Sequence, residues 1–152
     1  MGPMTLAAHG EALIGVWFDG QRHDRLGLEP KAQPGDSPVL RQTAQWLDAY
    51  FQREDPGPLP PLELRGSPFQ LRVWELLGQI PYGETVTYGT LAARLGLPAG
   101  AARAVGGAVG RNPISILLPC HRVLGARDRL TGYAGGLDRK RFLLALEAAN
   151  HT

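Results

Sequence analysis

The sequence predicts a two-part chain: a short strand-and-helix segment over residues 1–60, then a mainly helical region over 61–152 that carries a helix-turn-helix. Three observations predict it. The run Asp55-Pro56-Gly57-Pro58-Leu59-Pro60-Pro61 is too rich in proline for regular structure and reads as a semi-rigid linker between the parts. Ahead of it stand one apolar strand-like run and one helical pattern. Behind it, short helical patterns follow one another, two of them joined across a tight glycine-bearing turn.

In chain order, Ala12-Leu13-Ile14-Gly15-Val16-Trp17-Phe18 reads as a strand, and the Asp19-Gly20 pair after it as a hairpin turn. Ser37-Pro38 has the chemistry of an N-cap followed by the first helical residue. Leu40, Ala44, Leu47 and Phe51 then recur at helical spacing and are expected to form one buried face. After the linker, Ser67, Pro68 and Gln70 fit a capping box, Phe69, Val73, Trp74, Leu76 and Leu77 supply the apolar face, and Gly78 ends the helix. Thr87 caps a short helix carrying Leu91, Ala92 and Leu95. Gly96-Leu97-Pro98-Ala99-Gly100 is the tight connection to a second short helix over 101–109. A last helix is expected over about 138–149, with Leu143, Leu144 and Glu147 on one face.

Composition narrows the class. The 152 residues are 43% hydrophobic, without any run near the roughly 18 apolar residues of a membrane span. No basic segment followed by an apolar run opens the chain. With one cysteine in the sequence, a reducing cytoplasm is the expected compartment. The net charge of +2 is compatible with a polyanion partner and decides nothing by itself.

The single cysteine, Cys120, stands in Pro119-Cys120-His121-Arg122-Val123. A lone thiol forms no internal disulfide and no structural zinc site, so it is either a small buried hydrophobe or a nucleophile. The nucleophilic form is the thiolate, which needs a neighbouring base or cation at neutral pH. A histidine oriented by a carboxylate supplies such a base. His121 and Glu147 are the candidates, although Glu147 at the solvated edge of its helix is the plainer reading. The helix over 101–109, Ala101-Ala102-Arg103-Ala104-Val105-Gly106-Gly107-Ala108-Val109, is made of small residues around one long cation. Such a surface admits another backbone closely, within the protein or in a nucleic-acid groove.

Taken together, Asn112-Pro113, the 114–118 segment, Pro119-Cys120-His121-Arg122-Val123, Gly132-Tyr133-Ala134-Gly135-Gly136-Leu137, the small-residue helix and Gly83-Glu84-Thr85-Val86-Thr87-Tyr88 resemble the O6-alkylguanine-DNA alkyltransferase family. The resemblance covers roughly residues 62–147; the first 60 residues match only in layout. It implies a small α/β N-terminal domain with an antiparallel sheet, and a mainly α C-terminal domain with a winged helix-turn-helix. It further implies repair of DNA by direct reversal. An O6-alkylated guanine is flipped out of the duplex, and its alkyl group passes irreversibly to Cys120, once per molecule. No cofactor and no metal are implied, and the partner is double-stranded DNA bound by a monomer, weakened by salt.

By the same resemblance Cys120 is the alkyl acceptor, His121 takes its proton through a water, and Glu147 orients the imidazole. Asn112 braces the turn before Cys120. Tyr88 swings the nucleotide out, Arg103 fills the vacated stack, and Ala102 and Ala104 let the helix lie in the minor groove. Val123, Tyr133 and Ala134 belong to the base pocket; Ala134 lacks the serine hydroxyl of some members, leaving its backbone N–H as donor. Each has a plainer competitor: half-buried aromatics for Tyr88 and Tyr133, a turn initiator for Asn112. Arg122 is expected to form a structural ion pair, and His9, His23 and His151 are assigned no role. Two other classes stay open. One is a non-enzymatic alkylated-DNA sensor, whose relatives carry tryptophan at the cysteine position. The other is a cysteine hydrolase using Cys120, His121 and Glu147. The range of alkyl groups, and O6-alkylguanine against O4-alkylthymine, are not legible.

Overall fold

The computed structural model describes residues 2–21, 34–130 and 132–150; His23 and His151 lie outside them. Strand β1 (Met4–His9) pairs antiparallel with β2 (Ala12–Phe18), with Met4 opposite Phe18 and His9 opposite Ala12. The hairpin therefore closes at Gly10-Glu11, before the strand read from the sequence and not at Asp19-Gly20 after it. Gly10 supplies the left-handed backbone (φ +60°) that the tight turn requires.

Helix α1 (Pro38–Phe51) begins where expected, the Ser37 hydroxyl accepting from the Leu40 N–H at 3.4 Å. Its buried face is Val39, Thr43, Trp46, Leu47 and Tyr50, whereas Ala44 is exposed and Leu40 and Phe51 are only half-buried. The expected face is thus rotated by about one residue. Thr43 joins the core because its hydroxyl donates to the Val39 carbonyl at 2.7 Å, which satisfies the polar group inside the helix.

The proline-rich segment is irregular but anchored. Leu13 N–H donates to the Pro61 carbonyl (2.8 Å), Glu63 N–H to Leu13 (2.9 Å), and the Trp46 indole to Gly57 (3.2 Å). Helix α2 (Pro68–Leu77) has both bonds of the Ser67/Gln70 capping box and buries Val73, Trp74 and Leu77. Strand β3 (Val86–Thr87) leads directly into α3 (Tyr88–Arg94), capped by Thr87. After a 3-10 turn, α4 (Ala102–Gly110) packs on both α2 and α3. The Trp74 indole fixes α2 to α4 by donating to the Ala108 carbonyl at 2.8 Å. Strand β4 (Val123–Leu124) runs parallel to β3, and α5 (Leu137–Asn150) ends the described chain.

One core holds these pieces. Leu13, Val16, Phe18, Trp46 and Tyr50 from the first 60 residues lie in the same apolar cluster as Trp74, Leu91, Val109, Ile114 and Leu143. Strand β2 is the seam. Along the edge not taken by β1, Leu13 pairs with Leu62 and Val16 with Ile114. Val16 N–H donates to the Pro113 carbonyl (2.8 Å) and its carbonyl accepts from Ser115 N–H (3.0 Å). The segment leading to Cys120 is thereby hung on the N-terminal hairpin. Among the described residues no helix is long and apolar enough to cross a membrane.

Candidate active site

The approach to Cys120 is a folded turn organised by Asn112. Its carboxamide oxygen accepts from Ile114 N–H (2.9 Å), while its NH2 donates to the carbonyls of Leu118 (2.8 Å) and Ile114 (3.3 Å). Within this turn Ile116, 1% exposed, adopts a left-handed backbone (φ +70°). A β-branched residue there costs about 1–3 kcal/mol and persists only where its surroundings dictate it. A 3-10 turn, Cys120–Arg122, follows, so Cys120 and His121 are not held in the opposed orientation of strand neighbours.

His121 is fully buried, and its Nε2 meets Glu147 Oε2 at 2.6 Å. Glu147 is 1% exposed and is therefore no solvated edge residue. Its Oε2 also accepts from the Tyr50 hydroxyl (2.5 Å) and Arg122 Nη2 (3.0 Å); its Oε1 accepts from Arg122 Nε (2.7 Å) and Gly83 N–H (3.1 Å). Arg122 is an ion-pair partner, as expected, and spends Nη1 on the Ile80 carbonyl at 2.7 Å. Burial would raise the Glu147 carboxyl, but the bonds from His121 and Arg122 outweigh it and hold the group at about 2. For His121 burial wins over the pull of Glu147, so the imidazole is pushed below its ordinary value and is neutral at pH 7. With Nε2–H engaged by the carboxylate, Nδ1 is left as the basic nitrogen, buried and without a partner among the described residues.

Cys120 is 6% exposed, and burial raises its thiol. The Asn112 amide, the Lys140 ammonium and the Tyr133 hydroxyl each pull it part of the way back. Lys140 lies in the first turn of α5, fully buried, its Nζ donating to the Val123 carbonyl at 2.7 Å; burial lowers its own pKa. The thiol is thus neutral at rest but faces groups that favour the anion once its proton leaves.

Cys120 opens on a cavity of about 400 Å³ lined also by Tyr88, Gly106, Val109, Arg111, Tyr133 and Ala134. The loop bearing Tyr133 and Ala134 depends on Gly135, where an added Cβ would lie 2.7 Å from the Tyr133 ring and 2.9 Å from that of Phe18. The next residue, Gly136, is left-handed (φ +94°) and closes the turn on the Tyr133 carbonyl. Val123 is fully buried in β4 and is not among the residues lining this cavity. On the other side of Tyr88 and Gly106, a shallower cavity of about 530 Å³ is lined by Ala102, Arg103, Thr87, Gly89, Gly125 and Ala126. Arg103 and Ala104 are exposed on α4, and Ala102 is half-buried. Sequence reasoning did not find Tyr50, Lys140, Gly83 or Arg111. Each is ordinary in its own segment and is recruited only by folding.

A buried thiol next in sequence to a carboxylate-held imidazole, at the wall of a cavity flanked by a small-residue helix, is the arrangement of a protein with a cysteine nucleophile. Residues 68–149 match the family model for the 6-O-methylguanine DNA methyltransferase DNA-binding domain. The chain is 48% identical over 147 residues to the methylated-DNA–protein-cysteine methyltransferase of Mycobacterium bovis, covering 97% of this chain and 87% of that one. It is 45% identical over 150 residues to that of Methanosarcina acetivorans, covering 98% and 94%. The crystal structure of Mycobacterium tuberculosis OGT in complex with DNA superposes with a TM-score of 0.87 at 46% identity, covering 98% of this chain and 88% of that one. The O6-methylguanine DNA methyltransferase of Methanococcus jannaschii superposes at 0.69 with 29% identity, covering 98% and 90%. This chain belongs to the 6-O-methylguanine DNA methyltransferase family.

Proposed function

We propose that this chain repairs DNA by direct reversal, moving the alkyl group of an O6-alkylguanine onto Cys120 in a single turnover. It is a methyltransferase in the class of its curated relatives, and DNA is its partner. The observation that carries the reading is the position of Cys120, in the wall of a cavity beside a His121–Glu147 pair whose second imidazole nitrogen has no partner among the described residues.

In the proposed reaction His121 Nδ1 takes the Cys120 proton through a water, and Glu147 stabilises the resulting imidazolium. The sulfur attacks the alkyl carbon, an S–C bond forms, and the C–O6 bond breaks with its electron pair going to guanine, which is reprotonated. The thioether cannot return to a thiol by this route, so the protein acts once. Helices α3 and α4 serve as a helix-turn-helix, with the turn closed by the Gly125–Arg129 pairing as its wing. Exposed Arg103, flanked by Ala102 and Ala104, enters the duplex in place of the extruded base. Tyr88 stands between the two cavities, where it can meet the nucleotide on its way in. Tyr133 and Ala134 contact the base, and the protein binds as a monomer.

The test is intact-protein mass spectrometry after incubation with a duplex carrying one O6-methylguanine. The wild type is expected to gain one methyl group and stop at one equivalent, while Cys120→Ser gains none. Tight binding to the damaged duplex without a mass change would make the chain a damage sensor instead.

A further inference from the structure

Tyr50 belongs to α1, far in sequence from Cys120, yet its hydroxyl reaches Glu147 Oε2 at 2.5 Å. The same oxygen meets His121 Nε2 at 2.6 Å. The Tyr50 ring is 1% exposed and fixed by its neighbours: it stacks on Trp46 (5.7 Å, 10°) and meets the rings of Phe51 (5.3 Å) and Tyr82 (6.2 Å) edge-on. Its hydroxyl has little freedom to turn elsewhere.

We propose that Tyr50 is a positioning residue for the alkyl transfer: its hydroxyl shares Glu147 Oε2 with His121, fixes the carboxylate, and withholds part of that oxygen's basicity from the imidazole. The proposal rests on the reading that His121 takes the Cys120 proton. A carboxylate oxygen that accepts a second strong hydrogen bond stabilises an adjacent cation less. That matters because a base for Cys120 has to be unprotonated before the reaction. A Glu147 relieved of the Tyr50 bond, though still held by Arg122, would give more of its charge to His121, hold the imidazole protonated at higher pH and remove the acceptor. The other groups facing the pair act in fixed directions. Arg122 and Lys140 disfavour the imidazolium, while burial raises the Cys120 thiol and the Tyr133 phenol and keeps both neutral. Burial and the facing Glu147 keep the Tyr50 phenol far above its ordinary value, so it stays a neutral donor throughout the working range.

Tyr50→Phe keeps the ring and removes only the donor. Two readouts are compared with wild type: the NMR titration of the His121 imidazole, and the pH profile of single-turnover methyl transfer from a duplex carrying O6-methylguanine. The His121 midpoint is expected to rise by roughly half a pH unit, and the acid limb of the rate to move up with it. Replacing Tyr50 by 3-fluorotyrosine, a more acidic phenol and stronger donor of nearly the same shape, is expected to move both downward, and this variant decides the matter if Tyr50→Phe fails to fold. An unchanged His121 midpoint in the variants, whatever happens to thermal stability, would overturn the proposal and leave Tyr50 as packing. If the wild type transfers no methyl group, the assigned function fails, while the His121 titration still decides whether Tyr50 tunes the imidazole.

Discussion

Glu147 concentrates the electrostatics of the molecule in one carboxylate, which makes acid stability a residue-scale property. Its carboxyl, held at about 2 against an ordinary 4.5, contributes stability that is complete above the ordinary value and is lost as pH falls toward 2. His121 acts earlier. Because its folded value lies below 6.5, the unfolded chain takes the proton first, and stability declines as pH falls below 6.5 toward the folded value. The melting temperature is therefore expected to drop in two stages between pH 7.5 and 3, the first of them absent in His121→Gln. Calorimetry across that range checks it, and a melting temperature flat down to pH 4 contradicts it. At neutral pH, Glu147→Gln leaves the buried Arg122 without its counter-ion and is expected to cost about 3–5 kcal/mol in chemical denaturation. What the sequence makes legible at this scale is the local part. Cys120 and His121 are adjacent, and Asn112 precedes a proline. Tyr50 and Lys140 carry no local mark, since a tyrosine on a helix face and a lysine in a first turn are unremarkable until tertiary packing brings them beside Glu147 and Cys120.

At the scale of elements, α4 trades helix stability for a bare surface. Gly106 and Gly107 each cost about 1 kcal/mol relative to alanine in a helix interior. An added Cβ at Gly106 would lie 3.7 Å from the Tyr88 ring, an ordinary contact. Gly106→Ala is accordingly expected to raise stability by about 0.5–1 kcal/mol. The same methyl group stands between the two cavities that Tyr88 divides, so the rate of methyl transfer is expected to fall. Denaturation midpoints and single-turnover rates measured on the same protein test the opposed signs; a variant both more stable and equally fast would show that the helix surface need not be bare. Elements were legible in the sequence where their ends carry chemistry of their own. Ser37, Ser67 and Thr87 cap α1, α2 and α3 as read. Strand β1 was not found, because Met4-Thr5-Leu6-Ala7-Ala8-His9 has little β-branched character and is held as a strand by β2. The buried face of α1 was misplaced because Thr43 counts as polar in a pattern, while in the helix it satisfies itself.

For the whole molecule, the seam along β2 predicts how the chain unfolds. Pairing with β1 on one edge, and with Leu62 and Ile114 on the other, ties residues on both sides of the proline-rich segment into one core. Urea unfolding is expected to be a single transition, with far-UV circular dichroism coincident with the fluorescence of variants that keep only Trp17, Trp46 or Trp74. Separated midpoints for Trp17 and Trp74 would mean that the two segments melt independently. This level was the least legible in the sequence. The linker composition marks a break in regular structure but not the hydrogen bonds from Leu13 and Glu63 that bridge it.

The order of parts along the chain has a further consequence. Glu147 stands in α5, after Cys120, His121 and the residues that line the cavity. On the proposed mechanism, synthesis therefore delivers the accepting thiol first and the carboxylate that activates it last. A nascent or prematurely terminated polypeptide carries Cys120 without the carboxylate that holds His121 Nε2, so on that mechanism the thiol stays unready until translation has passed α5.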